Sequence, residues 1–378
     1  MNRFNILVLT TTICLAFGST AFAQGNTLNI DGSIDSAIIN SYKVKSADIS
    51  IKQAHNSYNE DVKNASSYDD QLDKGGGSLD QYTKLTFMQK ISDSPKEDEF
   101  SEYKYNQMKS VAENEIKLSA YNQYTAVMND KDAVDLENQK FNNATEQYNS
   151  AKLKLNIGTI SPSDEKKAES DYITEKNQLR KAQRQYDLDI ENMNKIIGTD
   201  IYARYDVLLK DKLTESPYIG SYSEYLNDAL KNRAEILIGQ KNIELQKFEY
   251  DTANGVFPNK QSIPNRLAQA NIDNATDSLE IQKLDITSEV NGLYNDLQVK
   301  ARMLKSKKDA LNLAQTNYDT ARVKYNIGVL SKIDFNSQAA NLKSAQNDLK
   351  SAERAIWMAQ FKLQLACDIG SDTSKLSN

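Results

Sequence analysis

The sequence predicts an all-α protein made of two tandem helical hairpins, and an internal repeat is the main reason. Eight positions of one segment have counterparts 170 residues later, with the same residue at all but one: Tyr148, Ala151, Leu155, Asn156, Ile157, Gly158, Ser161 and Asp164 correspond to Tyr318, Ala321, Tyr325, Asn326, Ile327, Gly328, Ser331 and Asp334. In each copy the glycine separates two long patterns of helical periodicity. Only 14 glycines and 5 prolines occur in 378 residues, a composition that favours long helices.

Residues 1–23 read as a secretory signal peptide. Arg3 provides the basic start, residues 6–17 are apolar apart from threonines, and Ala21-Phe22-Ala23 is a small-x-small cleavage site. The apolar stretch is too short and too rich in threonine for a membrane anchor. A lipoprotein attached at Cys14 is the alternative, but bulky Ile13 precedes that cysteine. Cleavage after Ala23 leaves Cys367 as the one thiol, so we expect no internal disulfide.

Composition argues against several functional classes. The chain has 46 basic and 52 acidic residues, a net charge of −6, which disfavours nucleic acid and anionic lipid as partners. We expect no enzyme, metal site or cofactor, because His55 stands alone and no Cys/His cluster occurs. The glycines at 75–77 lack the Lys-Ser/Thr of a phosphate-binding loop, so we expect no ATP site.

The first repeat is assigned to residues 24–198. A helix is expected from about residue 34 to 68, and the glycines at 75–77 end it. Residues 73–98 then form a connector whose run 82–88 is weakly strand-like. A second helix over residues 100–155 would be about 80 Å long. After the turn at Gly158, Pro162 begins a further helix that Gly198 ends.

A linker over residues 199–221 leads to the second repeat, residues 222–370, and a disordered tail is expected over 371–378. This repeat has a break at 254–265, a long helix over 266–325 and a final helix. The apolar seam of the final helix has a period near 3.5, typical of a coiled coil: Phe335, Ala339, Leu342, Ala345, Leu349, Ala352, Ile356, Ala359, Leu363 and Ala366. The seam is narrow, and the remaining faces should therefore pack against other copies of the chain.

These features resemble the TolC-type outer-membrane efflux family. The residues that carry the resemblance are the paired glycine turns, the Ala/Leu coiled coil after each, and Asn232-Arg233-Ala234-Glu235, which is similar to the family's Asn-Arg-Pro-Glu/Asp signature. The resemblance covers roughly residues 34–370. It implies a homotrimer that forms an α-barrel tunnel, whose tip meets a periplasmic adaptor protein linked to an energised transporter.

By position, the resemblance implies that the two glycine turns dock the adaptor. They comprise Asn156, Ile157, Gly158, Thr159, Ile160 and Ser161 in the first repeat, and Asn326, Ile327, Gly328, Val329, Leu330 and Ser331 in the second. Glycine permits a tight left-handed reversal, and the apolar flanks offer shallow grooves to a partner. Alternatively, these residues merely close a helical hairpin.

The resemblance also implies a gate at the tip, to which Tyr325 and Asp334 correspond. Ser337 and Leu330 stand where the family has a second aspartate and an arginine, so the usual network is incomplete. Three converging Asp334 side chains would form an anionic ring. The alternative is that Asp334 caps the last helix, as we expect of Asp164.

The chain departs from the family in the middle of each repeat, where a β-hairpin would contribute to a membrane barrel. A spanning hairpin needs about 20 residues plus a turn, but the second connector has 12 and contains two prolines. We therefore predict little or no β-barrel, and an exported conduit subunit of the cell envelope, placed at the outer membrane by the resemblance. The competing interpretations are a coiled-coil spacer or scaffold that transports nothing, and a secreted pore-former, which should carry an apolar stretch that this sequence lacks.

Overall fold

The computed structural model describes residues 27–209 and 219–376. The predicted signal peptide, with Cys14, lies outside the described residues, as do residues 210–218 of the predicted linker. The first repeat contains α1 Ile30–Asn40, α2 Tyr42–Gly75, α3 Gln81–Met88, α4 Ser94–Asn156 and α5 Pro162–Ile197. The second contains α6 Tyr222–Asn232, α7 Ala234–Val256, α8 Ile263–Asn326 and α9 Lys332–Cys367. The predicted all-α fold with two tandem hairpins is confirmed.

The two hairpins match in length. Helices α4 and α8 have 63 and 64 residues, and α5 and α9 have 36 each. At 1.5 Å per residue the long helices measure about 95 Å. They exceed the predicted length because proline stands at their second residue, Pro95 in α4 and Pro264 in α8. The first turn of a helix tolerates proline, since the missing N–H has no intrahelical acceptor there.

The strand-like interpretation of residues 82–88 is wrong, because this run forms α3. Asp80 caps the helix by accepting hydrogen bonds from the N–H groups of Tyr82, at 2.9 Å, and Thr83, at 3.1 Å. Leu85 is buried, and the Tyr82 ring lies 5.0 Å from that of Phe257 at the end of α7. Tertiary packing against α7 therefore outweighs the β preference of these residues. A five-residue π-helical turn, Gln89–Asp93, joins α3 to α4.

Two short strands connect the start of the first repeat to the predicted linker. Strand β1 Thr27–Leu28 pairs in parallel with β2 Val207–Leu208. The Tyr124 hydroxyl of α4 donates a hydrogen bond to the carbonyl of Leu209 and lies 3.4 Å from the carbonyl oxygen of Leu28. The part of the linker that the structure describes is thus fixed against α4.

The segment after α9 is ordered as far as the structure describes it. Residues Thr373–Leu376, which the sequence placed in a disordered tail, form a 3₁₀ helix. Leu376 is buried against Val111 of α4 and Ala234 of α7. The tail therefore contacts both repeats. The sequence pattern within a single segment cannot show such a long-range contact.

The helices form a layer with two edges. Helix α4 packs against α5 and α2 of its own repeat and against α9 and α7 of the other, while the chief packing partners of α8 are α9, α7 and α6. One apolar core lies around Tyr124, Met128 and Ile190, and a second around Val290, Leu297 and Leu363. Helix α8 thus forms one edge of the layer, and α2 and α5 form the other.

Candidate functional site at the hairpin tips

The first tip turn, residues 156–161, is a tight reversal at the end of α4. The N–H of Gly158 bonds to the carbonyl of Leu155 at 2.9 Å, and that of Thr159 to Lys154 at 2.8 Å. Gly158 has φ +73°, a left-handed conformation that side chains disfavour. The 5→2 and 6→1 bonds of this Schellman motif satisfy the last carbonyl groups of the helix, so the turn is closed by its own backbone.

The second tip turn, residues 326–331, has the same geometry. The N–H of Gly328 bonds to Tyr325 at 3.0 Å and that of Val329 to Lys324 at 2.9 Å. Gly328 has φ +77°. The sequence repeat thus corresponds to a repeated backbone conformation, because glycine occupies the left-handed position in both.

Apolar side chains at both tips face solvent. Ile157 is 74% exposed, Ile327 68% and Val329 71%, while Ile160 and Leu330 are half-buried. Exposing such residues together at the ends of two rods is unfavourable in water, so a covering partner would gain free energy from burying them.

Both predicted aspartates lie in the first turn of a helix. Asp164 and Ser161 form a capping box at the start of α5, with the Asp164 N–H donating to Ser161 Oγ at 3.2 Å and the Ser161 N–H donating to Asp164 Oδ2 at 3.1 Å. The Ser161 hydroxyl also donates to Asp164 Oδ2, at 2.8 Å, and this bond together with that from the Ser161 N–H lowers the pKa of Asp164. At α9 the Asp334 N–H donates to Ser331 Oγ at 3.1 Å, and that hydroxyl donates to Asp334 Oδ2 at 2.8 Å. An Asp334 ring would need three chains and stays a prediction.

Tyr325 packs within its own hairpin. Its ring stacks on Phe335 of α9, with centroids 4.9 Å apart and planes 8° from parallel. Tyr318 also contacts Phe335, at 5.5 Å. Phe335, which the sequence placed in the apolar seam of the final helix, thus also contacts the tip, since Tyr318 and Tyr325 are seven residues apart and share one helical face.

Polar contacts hold the two tips side by side. Lys332 Nζ at the start of α9 lies 2.9 Å from Glu146 Oε2 of α4, and this hydrogen bond raises the pKa of Lys332. Asn143 of α4 donates to the carbonyl of Asn336 at 3.3 Å. Sequence reasoning missed these contacts because their partners are nearly 200 residues apart and no local pattern relates them.

A row of apolar side chains also lies along the outer edge of α8. It occupies the side of the helix opposite to its buried residues and comprises Ile263, Leu267, Ile281, Leu284, Val299, Met303 and Leu313, each at least 42% exposed. The side of α8 that no other helix of the chain covers is therefore partly apolar, from Ile263 to Leu313.

Solved structures with the same architecture are known, although no match is found at the level of sequence. No protein-family model matches the sequence, and no curated protein matches it. Among solved structures, the CmeC outer membrane channel of Campylobacter jejuni aligns over 99% of this chain and 96% of its own, with a TM-score of 0.63 and 13% identity. The chain has the fold of the TolC-type outer-membrane channels.

Two further structures with the TolC-type fold are similar. The outer membrane protein VceC of Vibrio cholerae has a TM-score of 0.63 and 11% identity over 91% of this chain and 97% of that one. The MtrE outer membrane channel of Neisseria gonorrhoeae has a TM-score of 0.59 and 14% identity over 91% and 90%. The predicted TolC-type resemblance is therefore confirmed for the fold.

The middle of each repeat differs from what the resemblance to the TolC-type family implies. Where the resemblance implies β-hairpins, the structure has α3 with its π-helical turn in the first repeat, and residues 257–262 between α7 and α8 in the second. Among the described residues, no helix combines the length and the apolar character needed to cross a membrane.

Proposed function

We propose that this protein is an exported, TolC-type efflux or secretion conduit subunit that works as a homotrimer and contacts an adaptor protein through its tip turns. The observation that carries the proposal is the open layer of long helices with an exposed apolar row along α8. A layer with two different edges can bury both by joining the edge of one copy to the opposite edge of the next. Three copies joined in this way close into a ring with a hollow centre.

The tip turns suit adaptor docking because they combine rigidity with exposed apolar surface. Their backbones are fixed by hydrogen bonds, and the Lys332–Glu146 contact holds the two hairpins together. Ile157, Ile327 and Val329 supply side chains that a partner helix could cover. The adaptor would be coupled to an energised transporter.

The gate proposal concerns Asp334, Tyr325 and Asp164. In a closed ring of three copies, Asp334 at the start of each α9 would place three carboxylates around the tip and favour cations. Tyr325 would stabilise the tip beside these carboxylates, because its ring stacks on Phe335 of α9. Asp164 belongs to the first hairpin, where its role is to cap α5.

The cellular setting follows from the proposed export. Residues 1–23 would be removed after Ala23, and residues 24–198 and 222–370 would act as the two repeats of a cell-envelope protein. Association of the folded conduit with the outer membrane is the arrangement that its TolC-type fold favours.

Light scattering of the purified protein, combined with negative-stain images, tests the proposal. We expect the mass of a trimer and end-on views of a ring with a stain-filled centre. A monomer, or a bundle with a filled centre, would rule out the tunnel and favour a coiled-coil spacer or scaffold.

Docking is tested separately by photo-cross-linking. A photoreactive maleimide attached to Ser161→Cys or Ser331→Cys should label an adaptor subunit of the same cell, whereas a probe on Asp70→Cys, at an exposed position of α2, should not. Equal labelling from all three positions would contradict docking at the tips.

A further inference from the structure

A basic cavity lies at the junction between the two repeats. It has a volume of about 290 Å³ and is formed by α4 of the first repeat together with α8 and α9 of the second. We propose that this cavity binds a small organic anion, a carboxylate with an apolar body, through Lys300, Arg354 and Lys362. A single chain supplies all of these residues, so the inference does not depend on the proposed ring.

The charged residues that line the cavity are mainly cationic. Lys300, Arg354 and Lys362 stand against one carboxylate, that of Asp296, although the whole chain has a net charge of −6. The ion-pair partner of Arg354, Asp132 at 2.7 Å, is not among the lining residues. Lys362 forms no ion pair within the part of the chain that the structure describes. The cavity therefore retains positive charge that a bound anion would neutralise.

Arg354 has a donor that lacks an acceptor. The residue is 2% exposed, and its Nη1 and Nη2 donate to Asn129 Oδ1 at 2.6 Å and to Asp132 Oδ2 at 2.7 Å. Its Nε is buried and has no hydrogen-bond partner. Leaving a buried donor unpaired is costly, and more so on a charged group. Because Arg354 lines the cavity, an oxygen of a bound carboxylate would supply the missing acceptor.

Lys300 is placed next to this guanidinium by the pairing of α8 with α9. Lys307 Nζ lies 2.8 Å from Asp348 Oδ2 across these two antiparallel helices. Two helical turns further from the tip, Lys300 faces Ala355, which directly follows the buried arginine in the sequence. Lys300 Nζ is 3.7 Å from Asp296 Oδ1, too far for a hydrogen bond. The ammonium group therefore has donors left for a ligand.

Apolar side chains complete the cavity and favour an organic anion over an inorganic one. Met358 lies one turn along α9 from Arg354 on the same face of the helix, and Leu118 contributes from α4. An inorganic anion would leave these side chains in contact with water, whereas an apolar body attached to the carboxylate would cover them. A volume of about 290 Å³ is at the small end for ligand pockets, so the ligand should be about as large as benzoate.

Lys362 stands on the open side of the cavity. Its side chain is exposed, and it lies two turns of α9, or about 12 Å, from Arg354. An exposed cation at the entrance attracts an anion through solvent, where its effect is weakened by salt. We therefore assign the direct contacts to Lys300 and Arg354 and the attraction to Lys362.

Calorimetric titration of the purified protein with benzoate tests the site. We expect one benzoate per chain, with benzamide, which has the same ring without the charge, and inorganic phosphate each binding at least about tenfold more weakly. Lys300→Gln should weaken benzoate binding about tenfold. The matched control is Lys324→Gln, about 36 Å away along α8, which should bind benzoate as the wild type does.

Ala355→Phe separates the cavity from its charges, because the ring fills the space while all three cations remain. This variant should lose benzoate binding. Thermal unfolding gives a second measurement, since benzoate should raise the midpoint of the wild type but not that of Ala355→Phe. The midpoint and circular dichroism of the variant without ligand show that it is folded.

Several results would overturn the proposal. Benzamide binding as tightly as benzoate would show that the cations are not used, and phosphate doing so would show that the apolar surface is not used. Benzoate binding that Ala355→Phe retains would place the ligand elsewhere. A wild type that shows neither heat of binding nor a change in its midpoint would exclude the site, and none of these results bears on whether three copies form a ring.

Discussion

Asn40 and Asn232 make the same hydrogen bond in the two repeats, each donating from Nδ2 to a carbonyl in the last turn of α5 or α9, at 3.1 and 3.4 Å. Each asparagine is the last residue of a short helix of 11 residues. The next residue differs, because Ser41 follows one and Arg233 the other. The backbone is thus alike in the two repeats, while the side chains beside it differ. Small residues such as Ser41 leave a cavity in the first repeat, and the ion pair of Arg233 with Glu289 occupies the equivalent space in the second.

Replacing Arg233 should strongly destabilise the second repeat. Arg233 is 1% exposed, and its guanidinium donates to Glu235 and Glu289 at 3.0 Å each and to the Ala366 carbonyl at 3.2 Å. Arg233→Ala leaves the buried Glu235 carboxylate without its cation and leaves Glu289 with Lys375 alone, so it should lower the free energy of unfolding by about 3–5 kcal/mol. Urea denaturation followed by circular dichroism measures the loss.

Arg204 provides a matched control for Arg233. Arg204 pairs with Glu191 at 3.0 Å, and the Arg204 side chain is 46% exposed. Arg204→Ala should therefore cost no more than about 1 kcal/mol. Equal losses in the two variants would show that burial of the Arg233 network does not matter.

The buried ion pair between Arg354 of α9 and Asp132 of α4 should couple the two repeats. Arg354 Nη2 lies 2.7 Å from Asp132 Oδ2, and both side chains are almost fully buried. A double-mutant cycle with Arg354→Met and Asp132→Asn should give a coupling energy of about 1–3 kcal/mol. The exposed pair Lys307–Asp348, at 2.8 Å, should give about 0.5 kcal/mol. A coupling at Arg354 no larger than this would contradict the expectation.

Alanine at either tip glycine should destabilise the hairpin through backbone conformation. An added Cβ at Gly158 or Gly328 meets no atom within 4 Å, so the cost arises from the positive φ and should be about 1 kcal/mol. Gly32 also has open space around its Cβ position but lies within α1. Gly32→Ala should instead raise the free energy of unfolding by about 0.5–1 kcal/mol, and chemical denaturation of the three variants compares these signs.

The junction of the π-helical turn with α7 should lose stability as the pH rises. Burial raises the pKa of Asp93 to about 6 and, together with Glu97 and Asp93, that of Glu249 to about 7. Asp93 accepts a hydrogen bond from Thr252 at 2.6 Å. Because the folded state holds these protons more tightly than the unfolded chain, their contribution is complete below pH 4 and is lost as the pH passes through 6 to 7.

Asp93→Asn tests this pH dependence, because the amide cannot ionise. Relative to the wild type, the variant should gain about 1–2 kcal/mol in the free energy of unfolding between pH 4.5 and 7.5, measured by urea titration at both values. The exposed Asp70→Asn serves as the control and should follow the wild type. A wild type and Asp93→Asn with parallel pH profiles would disprove the effect.

The tip turns and final hairpin could be predicted from the sequence because their determinants are local. Gly158 and Gly328 adopt the left-handed conformation that a tight reversal requires, and Ser161 and Ser331 cap the helices that follow. The contacts that brace the tips were not predictable in this way. Lys332 and Glu146 lie far apart in the sequence, and only the packing of α9 on α4 brings them together.

By itself the sequence determined the duplication, the long helices and their glycine turns, since helical periodicity, capping and turn conformation act over a few neighbouring residues. The tertiary structure decided that residues 81–88 form a helix, that residues 373–376 fold across the two repeats, and that the apolar row of α8 stays uncovered. These outcomes depend on which distant surfaces meet, because burial against a partner overrides the local preference of a segment.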